Sequence, residues 1–242
     1  MRLPLAIAFS LTYLMLCGQF KTELRLGRSF NTVVYQELDP SYSVDPDFRG
    51  GITIGLGFDY YFEENLAVDF GLVLYQKGFE LEENFRDIDL SYDASYDVST
   101  FYLKIPVALQ YELPVVHEEH TLFFAIGGFL AIGLGGQNET QFTNIIDEES
   151  PQEDLNFLGG AEFVSSIDED NLVGLLFSDN LFFRRFDLGV ITGIGYRYKQ
   201  YSLRFNLNYS FLPLEPAINV AGLDFGYSRS NLNLALVLAY RF

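Results

Sequence analysis

Eight stretches of the chain alternate apolar and polar side chains with a period of two, and turn-forming residues separate them. A period of two puts successive side chains on opposite faces of a strand. In 50–62 one face carries Ile52, Ile54, Leu56, Phe58, Tyr60 and Phe62. In 66–79 it carries Leu66, Val68, Phe70, Leu72 and Leu74, and in 100–113 Leu103, Ile105, Val107, Leu109 and Tyr111. The segments 121–134, 186–198 and 201–212 repeat the pattern. So does the closing stretch LALVLAYRF, where Leu234, Leu236, Leu238, Tyr240 and Phe242 share one side. The first segment, 20–34, is the least regular, with Leu24, Leu26 and Phe30 set against Glu23, Arg25 and Ser29.

The connections alternate in length. Links 63–65, 114–120 and 199–200 are short, whereas 35–49, 80–99, 135–185 and 213–230 are long. An even strand count with short turns at one end and long loops at the other marks a bacterial outer-membrane barrel. Segments of about 9–11 residues cross a bilayer at a tilt of about 45°, and these are that long or slightly longer. The pattern predicts an all-β fold: an eight-stranded antiparallel up-and-down transmembrane β-barrel. Both termini fall on the short-turn, periplasmic side, and the long loops are extracellular.

The second face decides between a membrane barrel and a soluble one. It carries Glu23, Arg25, Asp59, Asp69, Lys104, Asp187, Arg197, Arg204 and Arg241, together with Asn206, Asn208, Asn231, Asn233 and Gln110. That face suits a polar lumen, and the Leu/Ile/Val/Phe face suits lipid. Backbone groups left unpaired in lipid are costly, so the sheet must close on itself. Tyr60, Phe62, Tyr111, Tyr196, Tyr198, Tyr209 and Tyr240 fall near strand ends, as interfacial aromatic girdles do.

Composition agrees. Of 242 residues 49% are apolar and 17% aromatic, with no Trp. The formal charge of −18 excludes nucleic acid as a partner, because phosphate binding needs basic stripes. Residues 1–18 read as a cleaved signal peptide: Arg2, the apolar run LPLAIAFSLTYLML and small residues up to Gly18. The barrel domain is then 19–242. The one cysteine, Cys17, falls within the leader. The acids sort by compartment: 24 of 33 lie in the four long links, eleven of them in 135–185.

Candidate chemistry is sparse. An eight-stranded barrel is only wide enough for side chains to fill it, and buried charges must pair. The five bases and four acids of the lumen face therefore predict a salt-bridged structural plug; a narrow small-solute or ion channel is the alternative. In the acidic loop 135–185, Asp168, Glu169 and Asp170 are weak candidates for a Ca²⁺ site, because they offer oxygen ligands without EF-hand spacing. His117 and His120 stand three apart in a turn and not four apart on a helix, so they predict a surface turn and no metal centre. No nucleophile elbow or phosphate loop is present, and neither an enzyme nor a cofactor is expected. Gly55, Gly57, Gly127, Gly193 and Gly195 fall on the lumen face and relieve crowding. Pro106 interrupts the fourth segment, and because a closed barrel has no edge, a bulge is expected at Ile105–Pro106.

Three stretches carry a family resemblance. FYLKIPVALQYEL (101–113), VLYQKGFEL (73–81) and RRFDLGVITGIGYRY (184–198) resemble strands of the PorT-like outer-membrane β-barrel family of Bacteroidota. The resemblance implies an integral outer-membrane protein, in a family whose name-giving member is associated with protein secretion and gliding. The ending resembles the C-terminal signal read by barrel-assembly machinery, with Tyr240 and Phe242 as its aromatic pair. The expected function is a non-enzymatic membrane barrel. Its partners would be outer-membrane lipid, that machinery, and a protein held at the acidic extracellular loops for envelope or secretion assembly. An enzyme acting on lipid is a third reading.

Overall fold

The computed structural model describes residues 20–35, 42–86, 91–116, 119–144, 154–164, 181–213, 218–220, 223–225 and 229–242. The expected leader (1–18), His117 and the candidate Ca²⁺ ligands Asp168, Glu169 and Asp170 lie outside them.

Eight strands form a closed antiparallel ring. In chain order the strands are β1 (Phe20–Tyr35), β2 (Tyr42–Asp47), β3 (Arg49–Glu63), β4 (Leu66–Arg86), β5 (Ser91–Val116) and β6 (His120–Asn144). They continue with β7 (Asp154–Val164), β8 (Leu181–Arg184), β9 (Phe186–Tyr198), β10 (Tyr201–Ser210), β11 (Ile218–Val220), β12 (Leu223–Phe225) and β13 (Arg229–Arg241). The ring runs β1-β3-β4-β5-β6-β9-β10-β13 and back to β1. At the seam, thirteen register pairs run from Glu23–Arg241 to Tyr35–Arg229. Residues 64–65 and 199–200 are short turns, and Lys199 takes a positive φ of 54° in the second; three residues separate β5 from β6.

Through the body of the ring the apolar face points outward. Leu26, Leu56, Leu72, Val107, Ile126, Leu130, Phe205 and Leu238 are exposed, while the alternate residues are buried. This inside-out arrangement is stable only in lipid. At the short-turn end the outward side chains form an aromatic belt. Phe20 packs against Phe58 and Phe70, and Tyr240 lies 5.2 Å from the rings of both Tyr201 and Phe242.

The structure corrects the reading of the long links. Residues 80–86 and 91–99 are strand, since β4 and β5 run on through ten further register pairs beyond Gln76–Phe101 to Arg86–Ser91. The first part of 135–185 likewise continues β6, which pairs with β7. The extensions reverse the polarity of the two faces. Outward positions become Gln76, Glu80 and Glu82 on β4, Ser99, Asp97 and Ser95 on β5, and Gln137 and Glu139 on β6. Inward positions become apolar. Val33, Phe79, Leu81, Val98 and Phe183 form a closed cluster, with Tyr96 against it. A strand leaving the bilayer meets water outside, so the apolar residues move to the face they can share. β2 borders this raised sheet on β4, and Pro46 sits on that edge, where a missing donor is tolerated.

The expected bulge at Pro106 is also corrected. Ile105–Leu130 and Pro106–Phe129 are in register on the β6 side. On the β4 side the register is unchanged from Phe70–Val107 to Val73–Lys104, and only the two pairs between them are missing. Those are the pairs that need a bond from the absent Pro106 N–H to the Gly71 carbonyl. The barrel loses one hydrogen bond and inserts no residue. The irregularities in β5–β6 lie instead at two other places: Phe101 and Tyr102 pair with Gly135 and Gly133 and leave Leu134 over, and Pro114 and Val116 pair with Thr121 and His120 and leave Val115 over.

Candidate functional site

The lumen is filled in layers. Nearest the short-turn end, Glu23, Asp59, Asp69 and Glu112 meet Arg25, Arg197, Arg204 and Arg241, four charges of each sign. Glu23 accepts from Arg204 Nη2 at 2.6 Å, Arg241 Nη2 at 3.0 Å and Arg25 Nη2 at 3.2 Å. Asp69 accepts from Arg25 at 2.8 Å and from Arg204 Nη1 at 2.5 Å. Asp59 and Asp69 are direct register partners. Like charges so placed repel, and the bonds of Asp59 to Arg241 and of Asp69 to Arg25 and Arg204 offset it. Arg197 Nη1 donates to both oxygens of Glu112 at 2.8 Å. Tyr61 and Gln110 donate to the same carboxylate at 2.5 and 2.7 Å.

Packing holds the guanidiniums flat. Phe123 lies beneath Arg204 and Arg197, with ring-to-guanidinium separations of 4.7 and 5.1 Å. The ring rests on Gly195 and the Arg25 guanidinium on Gly57; a Cβ at either glycine would overlap what lies over it. These two lumen glycines make room for the charge layer, and nothing gives them a chemical role.

Above this comes an apolar layer of Val73, Tyr75, Tyr102, Ala108, Phe129, Ala131 and Ile191. Lys104 and Asp187, which the sequence groups with the ion cluster, stand in register with Val73 and Ala131 of this layer and find their partners there. Lys104 Nζ donates to Asn208 Oδ1 at 3.2 Å and lies over the rings of Tyr75 and Phe129. Asp187 takes its salt bridge from Lys77 at 2.9 Å and a hydrogen bond from Ser210 at 2.9 Å. An amide chain continues across three strands: Asn208 donates to Asn233 at 2.7 Å and Asn233 to Asn31 at 2.6 Å. The apolar cluster around Phe79 and Phe183 lies beyond.

Sequence reasoning misses Glu112, Tyr61 and Lys77. Glu112 continues the even-numbered lumen face of Lys104, Ala108 and Gln110, so the same alternation holds the signal. Lys77 follows the apolar inward residues Val73 and Tyr75 and breaks their pattern without warning.

At the short-turn mouth a cavity of about 360 Å³ is lined by Glu63, Glu64, Glu112, Arg197, Lys199 and Arg241 among others. Glu119 lies 3.4 Å from Lys199 there and raises its ammonium pKa. His120 is the first residue of β6 and not part of a turn. Its Nδ1 contacts the Tyr196 hydroxyl, and its ring lies 4.8 Å from that of Tyr198. Among the described residues no three His, Cys, Asp or Glu side chains are grouped so as to hold a metal.

An outward apolar band, a closed antiparallel ring of eight strands and a polar, charge-compensated interior define an outer-membrane β-barrel protein. The chain belongs to the family described as outer membrane protein beta-barrel domain, which it matches over residues 15–219. Its place is accordingly the bacterial outer membrane. Among solved structures it is similar to Ail, the attachment invasion locus protein of Yersinia pestis, at 13% identity, 93% of this chain, 99% of that chain and a TM-score of 0.37. It is similar also to OprG from Pseudomonas aeruginosa (13% identity, 92% and 95% coverage, TM-score 0.38). Neisserial surface protein A aligns at 8% identity, 91% and 97% coverage and a TM-score of 0.34. No curated protein matches the chain.

Proposed function

We propose that this barrel is a non-conducting, non-enzymatic membrane anchor that carries a raised sheet out of the bilayer to meet a partner. The observation that supports it is closure at two levels. The ion cluster around Glu23 fills the lumen at one end, and the apolar cluster around Phe79 fills it at the other. Four charges of each sign cancel, and among the described residues no unpaired ring of one sign is left to select an ion. The raised sheet turns an acidic face to solvent, where Asp47, Glu80, Asp97 and Glu139 stand in register on four neighbouring strands.

The same reading places both termini in the periplasm and the raised sheet outside the cell. It keeps the PorT-like resemblance as the closer affiliation, with envelope or secretion assembly as the setting. It assigns Tyr240 and Phe242 to recognition by barrel-assembly machinery. Single-channel recording on refolded protein in planar bilayers tests the anchor against the narrow channel. The expected trace is silent; steady unitary conductance would overturn the plug.

A further inference from the structure

The outward face carries a groove at the level where the membrane-facing pattern ends. Its volume is about 540 Å³, and its lining includes Arg49, Gln76, Ser99, Phe101, Leu134 and Gln137. The change from apolar to polar occurs here on three adjacent strands. On β4 Leu74 gives way to Gln76, on β5 Phe101 to Ser99, and on β6 Leu134 to Gln137. Gln76, Phe101 and Gly135 are register partners, so the three changes meet along one line.

Two local features open the groove. Leu134 is left over in the β5–β6 register, and a Cβ at the adjoining Gly135 would meet nothing within 4 Å. On the other side Arg49 crosses the outer face of β4 over Gly78, where a Cβ would overlap its stem. Its head reaches β5, donating to the Val98 carbonyl at 3.2 Å and pairing with Asp97 at 2.5 Å. The lower edge, Phe101 and Leu134, is continuous with the lipid-facing surface of Leu103 and Ile132. The upper edge is polar.

From this geometry we infer a seat for one lipid whose headgroup is a sugar. Acyl chains continue down over Phe101 and Leu134, as they do elsewhere on the barrel. The amides of Gln76 and Gln137 and the hydroxyl of Ser99 meet sugar hydroxyls. Gln76 Nε2 already donates to Ser99 Oγ at 2.7 Å, which leaves its carbonyl to accept. The electrostatics disfavour an anionic headgroup. Asp97 neutralises Arg49, and Glu80 and Glu139 flank Asp97 in register. A phosphate there would meet one guanidinium that Asp97 already pairs, below a row of three carboxylates that line the next stretch of the sheet.

The chain has no Trp, so one indole reports on the groove. The full chain carrying Leu134→Trp is refolded into phosphatidylcholine nanodiscs. Lipids with brominated tails are then added at equal mole fraction: a glucosyl diacylglycerol, a phosphatidylglycerol and a phosphatidylcholine. The expected result is quenching by the glucosyl lipid several-fold above that by the other two. It is lost when Gln76→Ala, Ser99→Ala and Gln137→Ala are combined, and absent from Leu238→Trp on the far side of the ring. Heat-modifiable migration in gels checks that each variant is folded. Equal quenching by all three lipids, or preference for phosphatidylglycerol, would overturn the inference.

Discussion

Glu23 and Arg241 face each other across the seam where β1 meets β13, as register partners with Nη2 3.0 Å from Oε1. The first and last strands of the ring are thus tied by a buried charge pair as well as by their backbone ladder. Glu23 is fully buried and shares its two oxygens among Arg25, Arg204 and Arg241. A buried ion pair is weak evidence for stability in itself, because desolvation offsets attraction. Removing one partner is different, since it strands the charges that remain.

Glu23→Ala is therefore expected to destabilise the refolded barrel by about 3–5 kcal/mol, the cost of leaving a buried charge uncompensated. Glu23→Gln should cost less, because the amide oxygen still accepts a hydrogen bond. Denaturant titration in detergent micelles, followed by tyrosine fluorescence, measures both. A loss no larger than the ~1 kcal/mol of an exposed pair would mean that water screens the cluster.

Phe79 tests the raised sheet. It closes the segment 66–79 and borders what reads as the surface loop 80–99, yet it is 2% exposed and packs with Val33, Leu81, Val98 and Phe183. Phe79→Ala should cost about 3–5 kcal/mol, as truncation of a buried aromatic does. On a solvated loop the change would stay within about 0.5 kcal/mol. Unfolding followed by protease access to 80–99 distinguishes the two.

The eight strands and the assignment of their faces are legible in the sequence, because lipid outside and packed charge inside enforce one alternation from end to end. The rest is hidden for a physical reason. Where β4, β5 and β6 leave the bilayer the alternation persists but changes sign, with Phe79 and Leu81 inward and Glu80 and Glu82 outward. A search for an outward apolar face then reports a loop. The lumen charges are legible as a set, but not in their partition. Lys104 and Asp187 share the parity of Arg204 and Arg197, and only height along the barrel axis separates them. Period-two reading carries no such coordinate. Pro106 shows a third limit: the missing donor is legible, but whether the sheet answers with an extra residue or a skipped bond is not.

Pro106→Ala follows from the skipped bond. The strand is already in register on both sides, so the new amide needs no rearrangement to donate to the Gly71 carbonyl. One added neutral hydrogen bond is worth about 0.5–1.5 kcal/mol. The more flexible unfolded chain offsets about 0.4–1 kcal/mol of that. The net change should be small, and hydrogen exchange should show a protected amide at position 106. Rapid exchange there would mean that the strands have parted at Gly71.

Phe242 separates folding from assembly. Its amide donates to the Thr22 carbonyl at 2.9 Å, and its ring stands edge-on to Tyr240 with 70% of the residue exposed. Phe242→Ala keeps the backbone bond and removes a ring that meets little protein. The folded barrel should therefore lose no more than the ~0.5–1.5 kcal/mol of one aromatic pair. If Tyr240 and Phe242 are the pair that barrel-assembly machinery reads, the cellular yield of membrane-inserted protein should fall far more than that stability change predicts. Comparing heat-modifiable protein in outer-membrane fractions with unfolding midpoints of the purified variant gives both quantities. Tyr240→Ala serves as the internal comparison, because it disturbs the contact with Tyr201 as well. Parallel losses in yield and stability would reduce the pair to packing.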